Sequence, residues 1–311
     1  MRRFGTLARF AAIVLVFAVQ HPETFLTAPN LLNVSQQLAM LSVVAATMTI
    51  VMTMGDFDLS VGSMASLAGV VAAACFAAGW PVWAGIAAAL AVGVAGGVFN
   101  GVLVAVVGIL PFVATLGTLT VFGGLAFLVS GGATIFGRDI PAGFSGFARG
   151  SLALGEVNVP FLTLLAAAAI LTCWVLLERT VFGRWLHAIG GNADAARLAG
   201  LPVARTRVLA FALAGLGAAG AGLMYAARVA SANPVQGSGL MLDAIAAVFL
   251  GMTMSRSGEP RVLYTLVGVA MLGLLDNGLT QMRVDSYVRE VLVGLIVIGA
   301  VALAAWSKRR G

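Results

Sequence analysis

The sequence predicts an all-α, polytopic integral membrane protein with about ten transmembrane helices and cytoplasmic N- and C-termini. Of its 311 residues, 60% are hydrophobic and only 10% are charged, and the mean hydropathy is +1.03. A typical soluble domain has about 25% charged residues. Apolar runs recur along the whole chain, and no polar block is large enough to fold alone. We therefore interpret residues 1–311 as one transmembrane domain.

The individual spans follow from the length of the apolar runs. Crossing about 30 Å of hydrocarbon takes roughly 20 apolar residues per helix. The first and eighth runs are shorter than that. The predicted spans are 6–20, 36–54, 59–79, 82–107, 111–131, 160–178, 207–227, 240–254, 262–281 and 288–306.

The basic residues predict the orientation. Lys and Arg concentrate in cytoplasmic loops of membrane proteins. With ten spans, all three basic clusters fall on one side, which accounts for the net charge of +6 without invoking nucleic acid. The clusters are Arg2, Arg3 and Arg9; Arg179, Arg184, Arg197, Arg205 and Arg207; and Lys308, Arg309 and Arg310. The connection at about 179–206 is then cytoplasmic, and the Gly-rich connection at about 132–159 is periplasmic.

The most unusual segment places two carboxylates, Asp56 and Asp58, between two long apolar runs. A charged group at mid-bilayer costs at least about 2.5 kcal/mol, so such groups are rarely present without a role or access to water. In one interpretation, Gly55 ends a helix and Asp58 or Ser60 N-caps the next in a short cytoplasmic turn. In the other, the helix break lies at membrane depth and lines a polar pathway. The sequence leaves both open.

A second polar segment lies in the basic connection. Asn192 is a plausible N-cap, Asp194 falls in the first turn that would follow, and Gly200 is a plausible C-terminal stop. These residues predict a short amphipathic helix with an Ala-rich surface that permits close docking. The alternative is an ordinary basic loop that contacts no partner.

Other candidate groups are isolated. Asp243 and Asp276 fall within or at the ends of apolar runs and need partners or water, and Arg228 is a possible partner for Asp243. Cys75 and Cys173 lie in separate apolar runs, which indicates neither a disulfide nor a metal site.

The sequence also argues against an enzyme. A P-loop needs a Lys to reach the β- and γ-phosphates of ATP, and the only lysine in this chain is Lys308. No serine-hydrolase or zinc-protease motif is present either.

At several of these residues the sequence resembles a known family. It is similar over nearly its whole length to the permeases of bacterial ATP-binding-cassette (ABC) importers for ribose, xylose, galactose and L-arabinose. The motifs that carry the resemblance are Gly55-Asp56-Phe57-Asp58-Leu59-Ser60-Val61-Gly62-Ser63, Asn100-Gly101, Pro111 to Thr118, Phe182-Gly183-Arg184 through Gly200, Ser231-Ala232-Asn233-Pro234, Leu242-Asp243-Ala244-Ile245-Ala246-Ala247 and Asp276-Asn277-Gly278-Leu279.

The resemblance implies a permease domain that works with other proteins. The expected partners are a cytoplasmic ATPase with two fused nucleotide-binding halves, a periplasmic sugar-binding protein, a second permease copy and membrane lipid, but not nucleic acid. No cofactor is expected on this chain, and ATP and Mg²⁺ are expected on the ATPase. Residues expected to line the translocation pathway are Asp56, Phe57, Asp58, Ser60, Asn100, Asp243 and Asn277. Residues expected to couple to the ATPase are Gly191, Asn192, Ala196, Arg197, Leu198 and Gly200.

The resemblance also suggests a substrate. The usual family form Gly-Gly-Ile-Asp-Leu-Ser is replaced here by Gly55-Asp56-Phe57-Asp58-Leu59-Ser60, which looks like the L-arabinose permease variant. The expected function is import of a monosaccharide from periplasm to cytoplasm, and the expected sugar is a pentose, with L-arabinose as the candidate. Departures such as Met241, where the family has Glu, leave room for altered specificity. The alternatives are an ion-coupled secondary transporter of small polar solutes and a membrane scaffold without transport.

Overall fold

The computed structural model describes residues 2–155, 157–255, 258–292, 294–295 and 298–299. The basic cluster Lys308 to Arg310 and most of the predicted span 288–306 lie outside the described residues. The described chain is mainly helical. Its helices are α1 (Arg2–Gln20), α2 (Ala28–Thr53), α3 (Val61–Ala77), α4 (Val82–Val102), α5 (Pro111–Ser130), α6 (Ala142–Arg149), α7 (Phe161–Arg179), α8 (Val181–Gly191), α9 (Ala193–Leu198), α10 (Val203–Val229), α11 (Leu240–Met252) and α12 (Val262–Gln281).

Six helical stretches in the described part of the chain are long and apolar enough to cross a membrane. They are α2, α4 with the π-helical turn Leu103–Val107 that extends it, α5, α7, α10 and α12. The predicted spans from 6–20 to 262–281 each coincide with a helix. Two of these helices are short, because α3 has 17 residues and α11 has 13. The total of about ten spans and the position of the termini stay predictions.

The chain is mostly helical, as the sequence predicts, and four short strands that the sequence does not predict accompany the helices. Strand β1 (Ile135–Phe136) pairs with β4 (Ser231–Ala232), and β2 (Ser151–Leu154) pairs with β3 (Val157–Pro160), all antiparallel. The backbone outside the helices needs hydrogen-bond partners, and these two pairings supply them. Together with α6, they order much of the connection 132–159.

The long helix α10 lies at the centre and packs on α2, α3 and α4. Helices α3 and α4 touch α10 at backbone distance. A Cβ atom at Gly215 would collide with the carbonyl oxygen of Gly93, and a Cβ atom at Gly222 would collide with that of Ala65. Small residues permit such close approach between membrane helices, where dispersion contacts rather than hydrophobic burial favour association. The Gly-rich sequence of α10 therefore sets the spacing of the core.

The two ends of the bundle differ in chemistry. We call the end that carries α8, α9 and the start of α10 the basic end, because Arg184, Arg197, Arg205 and Arg207 lie there. The opposite, distal end carries α6 and the four strands. Hydrogen bonds between uncharged side chains join neighbouring segments at the distal end. They are Ser35 with Thr163 at 2.9 Å, Asn233 with Thr134 at 2.8 Å, and Asn30 with Asn277 at 2.9 Å.

A connection from the distal end descends along α3 before α11 begins. The Gln236 side chain donates to the carbonyl of Gly222 at 3.3 Å, and the Gly237 amide donates to Ser66 Oγ at 2.9 Å. Gly237 also touches Gly62, in the first turn of α3. Gly237 is thus buried against α3, whereas Val235, Ser238 and Gly239 of this non-helical stretch are exposed. Helix α11 is short because it starts inside the bundle.

The glycine spacing is testable on one helix. We expect Gly215→Ala to lower the thermal stability of the purified protein, because the new methyl would meet backbone atoms of α4, and overpacking typically costs about 1–3 kcal/mol. Gly220→Ala, five residues further along α10, is the matched control, since nothing lies within 4 Å of its Cβ position. Equal melting temperatures for the two variants would contradict the close contact.

Candidate translocation and coupling site

The site is built around the break between α2 and α3. Helix α2 ends at Thr53, and Gly55 follows with φ of +80°, a conformation that glycine adopts without strain. The chain then runs without helical structure to Ser60, and α3 begins at Val61. Both carboxylates of this stretch are buried, with Asp56 4% and Asp58 1% exposed.

Asp58 is bonded within the break. Its Oδ1 atom accepts from the Ser60 amide at 2.9 Å and from Ser60 Oγ at 2.6 Å. Asn100 of α4 extends the network by donating from Nδ2 to Ser60 Oγ at 2.8 Å. These bonds hold the start of α3 against α4. The side-chain oxygen of Asn100, Oδ1, finds no hydrogen-bond partner among the described residues and stays available as an acceptor beside the break.

Asp56 faces the other way and forms an ion pair with Arg207 in the first turns of α10. Arg207 Nε lies 3.1 Å from Asp56 Oδ2, although the two are not aligned as a hydrogen bond, and a second guanidinium nitrogen donates to Oδ1 at 3.4 Å. A buried charge needs such a counter-charge, because isolated burial is costly. The break is therefore tied to the helix that follows the basic connection.

Phe57 lies between the two carboxylates and contacts other helices. Its ring centroid is 6.1 Å from that of Phe249 in α11, and its carbonyl accepts from Thr115 of α5 at 3.4 Å. The break thus touches four helices: α4, α5, α10 and α11. A change in its conformation must be accommodated by each of them.

The depth of the break can be measured along α10, which starts at Val203. Asn100 sits between Gly97, which contacts Phe211, and Gly101, which contacts Val208. These contacts lie five to eight residues inside α10, or about 8–12 Å at a rise of about 1.5 Å per residue. The break is consequently a buried turn near the basic end, which combines features of both interpretations left open by the sequence.

The predicted amphipathic helix is confirmed as α9. Asn192 Oδ1 accepts from the amides of Asp194 at 3.0 Å and Ala195 at 2.9 Å, so Asn192 is the N-cap. Gly200 follows the helix with φ of +81°. Ala196 is buried, whereas Leu198 is 90% exposed. Helix α9 therefore packs through one face and presents an apolar side chain on the other.

Helix α8 connects this surface to the break. Gly190 lies directly against the carbonyl of Thr53 at the end of α2, and a Cβ atom there would collide with it. Leu186 and Ile189 of the same helix are buried. Since α8 and α9 share Asn192 at their junction, α9 is connected to the end of α2 through α8.

The remaining predicted pathway residues lie elsewhere. Asp243 is exposed in the first turn of α11, and no ion pair joins it to Arg228 within the described part of the chain. Asn277 bonds to Asn30 at the distal end. Asp276 pairs with Arg289 at 2.9 Å. The structure thus brings together Asp56, Phe57, Asp58, Ser60 and Asn100, but neither Asp243 nor Asn277 joins them.

No metal site accompanies this arrangement in the part of the chain that the structure describes. No group of three or more His, Cys, Asp or Glu side chains is placed to hold an ion there. Cys75 and Cys173 are both free thiols. The expectation that this chain binds no cofactor stays a prediction.

Comparison with known proteins identifies the kind of molecule to which this site belongs. Residues 30–301 match the family described as the permease component of branched-chain amino acid transport systems. The chain belongs to this permease family. It is therefore a transport subunit of the inner membrane that crosses the bilayer several times, and not an enzyme.

Individual relatives support this assignment over about nine-tenths of their lengths. The chain is 38% identical to the ribose import permease protein RbsC of Bacillus subtilis over 97% of this chain and 92% of that protein. It is 34% identical to RbsC of Escherichia coli K12, covering 95% and 91% of the two chains. It is 33% identical to the L-arabinose transport system permease protein AraH of the same organism, covering 99% and 92%.

A solved structure shares the fold. It is an inward-facing conformation of a metal-chelate type ABC transporter, with a TM-score of 0.56 and 14% identity, covering 98% of this permease and 99% of that chain. At this identity the similarity concerns the fold alone.

Two features of the site escaped sequence reasoning. The sequence assigns Arg207 only to the basic cluster and does not predict its pair with Asp56. The signal for that pair is the position of Arg207 at the start of the apolar run 207–227, where a charge needs a partner. The packing of Gln236 and Gly237 against α3 had no such signal. Their contacts depend on α3 and α10 lying side by side, which sequence spacing does not reveal.

The Asp58 network predicts a graded loss of stability. We expect Asp58→Ala to lower the melting temperature of the purified permease strongly, because it leaves the Ser60 amide and hydroxyl without an acceptor, at about 1–3 kcal/mol per buried group. Asp58→Asn should have a smaller effect, since it keeps one oxygen acceptor. Asp194→Ala is the control, because its pair with Arg197 is exposed and worth about 1 kcal/mol or less. Similar melting temperatures for Asp58→Ala and Asp194→Ala would contradict this role.

Proposed function

We propose that this permease forms the membrane pathway of an ATP-driven importer that carries a monosaccharide from periplasm to cytoplasm. The observation that carries the proposal is the exposed surface of α9. Leu198 is 90% exposed in a short helix that is capped by Asn192 and packed through Ala196. An apolar side chain presented in this way, beside Arg197, suits a protein partner at the basic end.

The partner that fits this surface is a cytoplasmic ATPase. The permease family works in transport systems, and this chain lacks a P-loop because its only lysine is Lys308. ATP and Mg²⁺ are then bound by the ATPase, for which we propose two fused nucleotide-binding halves. The positive-inside rule places the basic end in the cytoplasm, where ATP is available.

Coupling would act on the break through two contacts. ATP-dependent movement of α9 is passed through α8 to Thr53, where Gly190 touches the end of α2. The same movement reaches Asp56 through Arg207, which lies about one helical turn after the start of α10. Asp58, Ser60 and Asn100 are fully buried, so we assign them the role of holding the break in place rather than contacting sugar.

A second permease copy would complete the pathway. Helix α5 presents an apolar face that includes Phe112, Val113 and Leu116, each about half exposed. The same helix contacts the break through Thr115. Pairing of two permeases through this region would enclose a route between them. Asp243 is exposed on α11, the helix that contacts the break through Phe249, and would lie near this route. A periplasmic sugar-binding protein would deliver substrate at the distal end.

The proposed substrate is a pentose. The relatives are named for ribose and L-arabinose, which are both five-carbon sugars, and their identities of 38% and 33% are close. The motif Gly55 to Ser60 resembles the L-arabinose variant, whereas the ribose permease is the more similar of these two relatives. We therefore propose a pentose, with L-arabinose and ribose as the two sugars to test.

The coupling surface is testable by substitution. We expect Arg197→Glu combined with Leu198→Asp to abolish ATP-driven sugar uptake in proteoliposomes that contain the complete transporter, while the protein still inserts in the membrane. Both changes place acidic groups where an apolar and a basic group are now presented. Leu152→Asp, at a half-exposed leucine of the distal end, is the control and should leave coupling to the ATPase intact. Uptake at the wild-type rate in the double variant would refute the docking role.

The energy source and the sugar are testable together. We expect proteoliposomes with permease, ATPase and binding protein to accumulate L-arabinose or ribose only when ATP is supplied, and the permease alone to hydrolyse none. Uptake that persists without ATP while an ion gradient is clamped would instead indicate a secondary transporter. Retention of a hexose, and of neither pentose, by the cognate binding protein would overturn the substrate proposal alone.

A further inference from the structure

The non-helical stretch before α11 is partly exposed although it lies well inside the ends of the bundle. Gln236 bonds to the carbonyl of Gly222, which precedes the distal end of α10 by seven residues, or about 10 Å at a rise of about 1.5 Å per residue. Gly237 is buried against α3, whereas the next two residues, Ser238 and Gly239, are exposed. Exposed backbone therefore occurs at membrane depth.

Asp243, in the first turn of α11, lies near the middle of the membrane. Helices α11 and α12 run antiparallel in direct contact, with Ala247 against Gly268 and Gly251 against Tyr264. Asp243 lies four residues before Ala247, so the same spacing places it about 15 Å from the start of α12 and about 14 Å from its end. Because α12 is long and apolar enough to cross a membrane, Asp243 is far from both surfaces.

The carboxylate of Asp243 has no counter-charge in the part of the chain that the structure describes. Its side chain is exposed and forms neither a hydrogen bond nor an ion pair with a described residue. Asp276 and Glu290, which are near enough to act on it, are acidic as well. Lipid does not solvate a carboxylate, and charged groups within the membrane face protein partners or a water-filled cavity. Asp243 therefore needs water.

We propose that the face formed by Ser238, Gly239 and Asp243 lines the water-filled sugar pathway at mid-membrane depth, and that the Asp243 carboxylate accepts hydrogen bonds from sugar hydroxyls. Non-helical backbone at membrane depth occurs only where protein buries it or where it lines a water-filled cavity, and this backbone is exposed. A carboxylate has two acceptor oxygens and suits a neutral molecule with several hydroxyl groups. The sugar contact rests on the proposed import of a monosaccharide, whereas the exposure to water does not.

A second permease copy packed directly on this face would not satisfy Asp243. In a two-fold symmetric pair, each copy presents the same surface to the other. The acidic groups Asp243, Asp276 and Glu290 would then meet an identical acidic set, and juxtaposed like charges disfavour direct contact. Water and a neutral sugar between the two copies avoid that repulsion.

Thiol labelling of the full-length permease in proteoliposomes tests the exposure to water. Single cysteines are introduced by Ser238→Cys and Asp243→Cys after Cys75 and Cys173 are replaced by alanine, and a charged methanethiosulfonate is supplied on both sides of the membrane. Leu171→Cys is the matched control, because Leu171 is exposed near the middle of α7, where no pathway is proposed. We expect both pathway cysteines to react at least about tenfold faster than the control, since the reactive thiolate forms in water. Equal rates at all three positions would overturn the proposal.

Uptake by the complete transporter tests the sugar contact. We expect Asp243→Ala to lower ATP-driven pentose uptake at least about tenfold, because a hydrogen bond to a charged group is lost. Asp243→Asn keeps one oxygen acceptor and should lower uptake less. Neither change should lower the melting temperature, because Asp243 has no partner in the described chain. Asp285→Ala, at an exposed aspartate after α12, is the control and should retain uptake.

Two results separate this proposal from the import function itself. Wild-type uptake by Asp243→Ala would overturn the sugar contact, and so would equal losses of uptake and melting temperature in that variant. Failure of the unmodified transporter to accumulate a pentose with ATP would instead overturn the import function. The labelling rates at positions 238 and 243 would still decide whether this face lies in water.

Discussion

The backbone contacts of α10 with its neighbours are the constraint on which the rest of the structure depends. Gly215 touches Gly93, Gly222 touches Ala65, and Gly97 touches the carbonyl of Phe211, so two helices, α3 and α4, meet α10 without intervening side chains. In a bilayer, burial of apolar surface contributes little to helix association, because lipid is as apolar as the helix surface, and close dispersion contacts drive association instead. This spacing fixes where α3 starts relative to α10 and hence where the break between α2 and α3 lies.

The position of the break explains why charged residues are kept there. Asp56 is buried because α10 is close, and that same closeness brings Arg207 within 3.1 Å of it. Removing one member of a buried pair leaves the other charge buried without a partner and typically lowers the free energy of unfolding by about 3–5 kcal/mol. An intact pair adds little stability by itself. The pair therefore favours one position of α10 relative to α2, because the two charges meet only when the start of α10 lies against the end of α2. A movement that separates these helices must also separate the two charges or carry them together.

The sequence predicted the parts of this molecule that depend on local chemistry. Apolar length was sufficient for α4, α5 and α12, and capping chemistry was sufficient for Asn192, Asp194 and Gly200. It could not predict contacts that arise from helix packing. Asp56 and Arg207 are 151 positions apart, and the descent of Gln236 along α3 follows from the glycine spacing of α10. The strands of the 132–159 connection were missed because they are two to four residues long and carry too little alternation to be recognised.

The motif from Asn192 to Gly200 divides into residues that build a turn and residues that the turn presents. A six-residue helix is unstable by itself, because nucleation costs more than so few hydrogen bonds return. Asn192 offsets that cost by accepting two amide hydrogen bonds, Ala196 by packing inside, and Gly200 by ending the helix with a left-handed residue. None of these roles needs Leu198, which is 90% exposed and contributes almost no burial to the isolated chain. A leucine that the fold does not use, presented on a helix that packs against α8 and α10, fits the proposed contact with a partner protein.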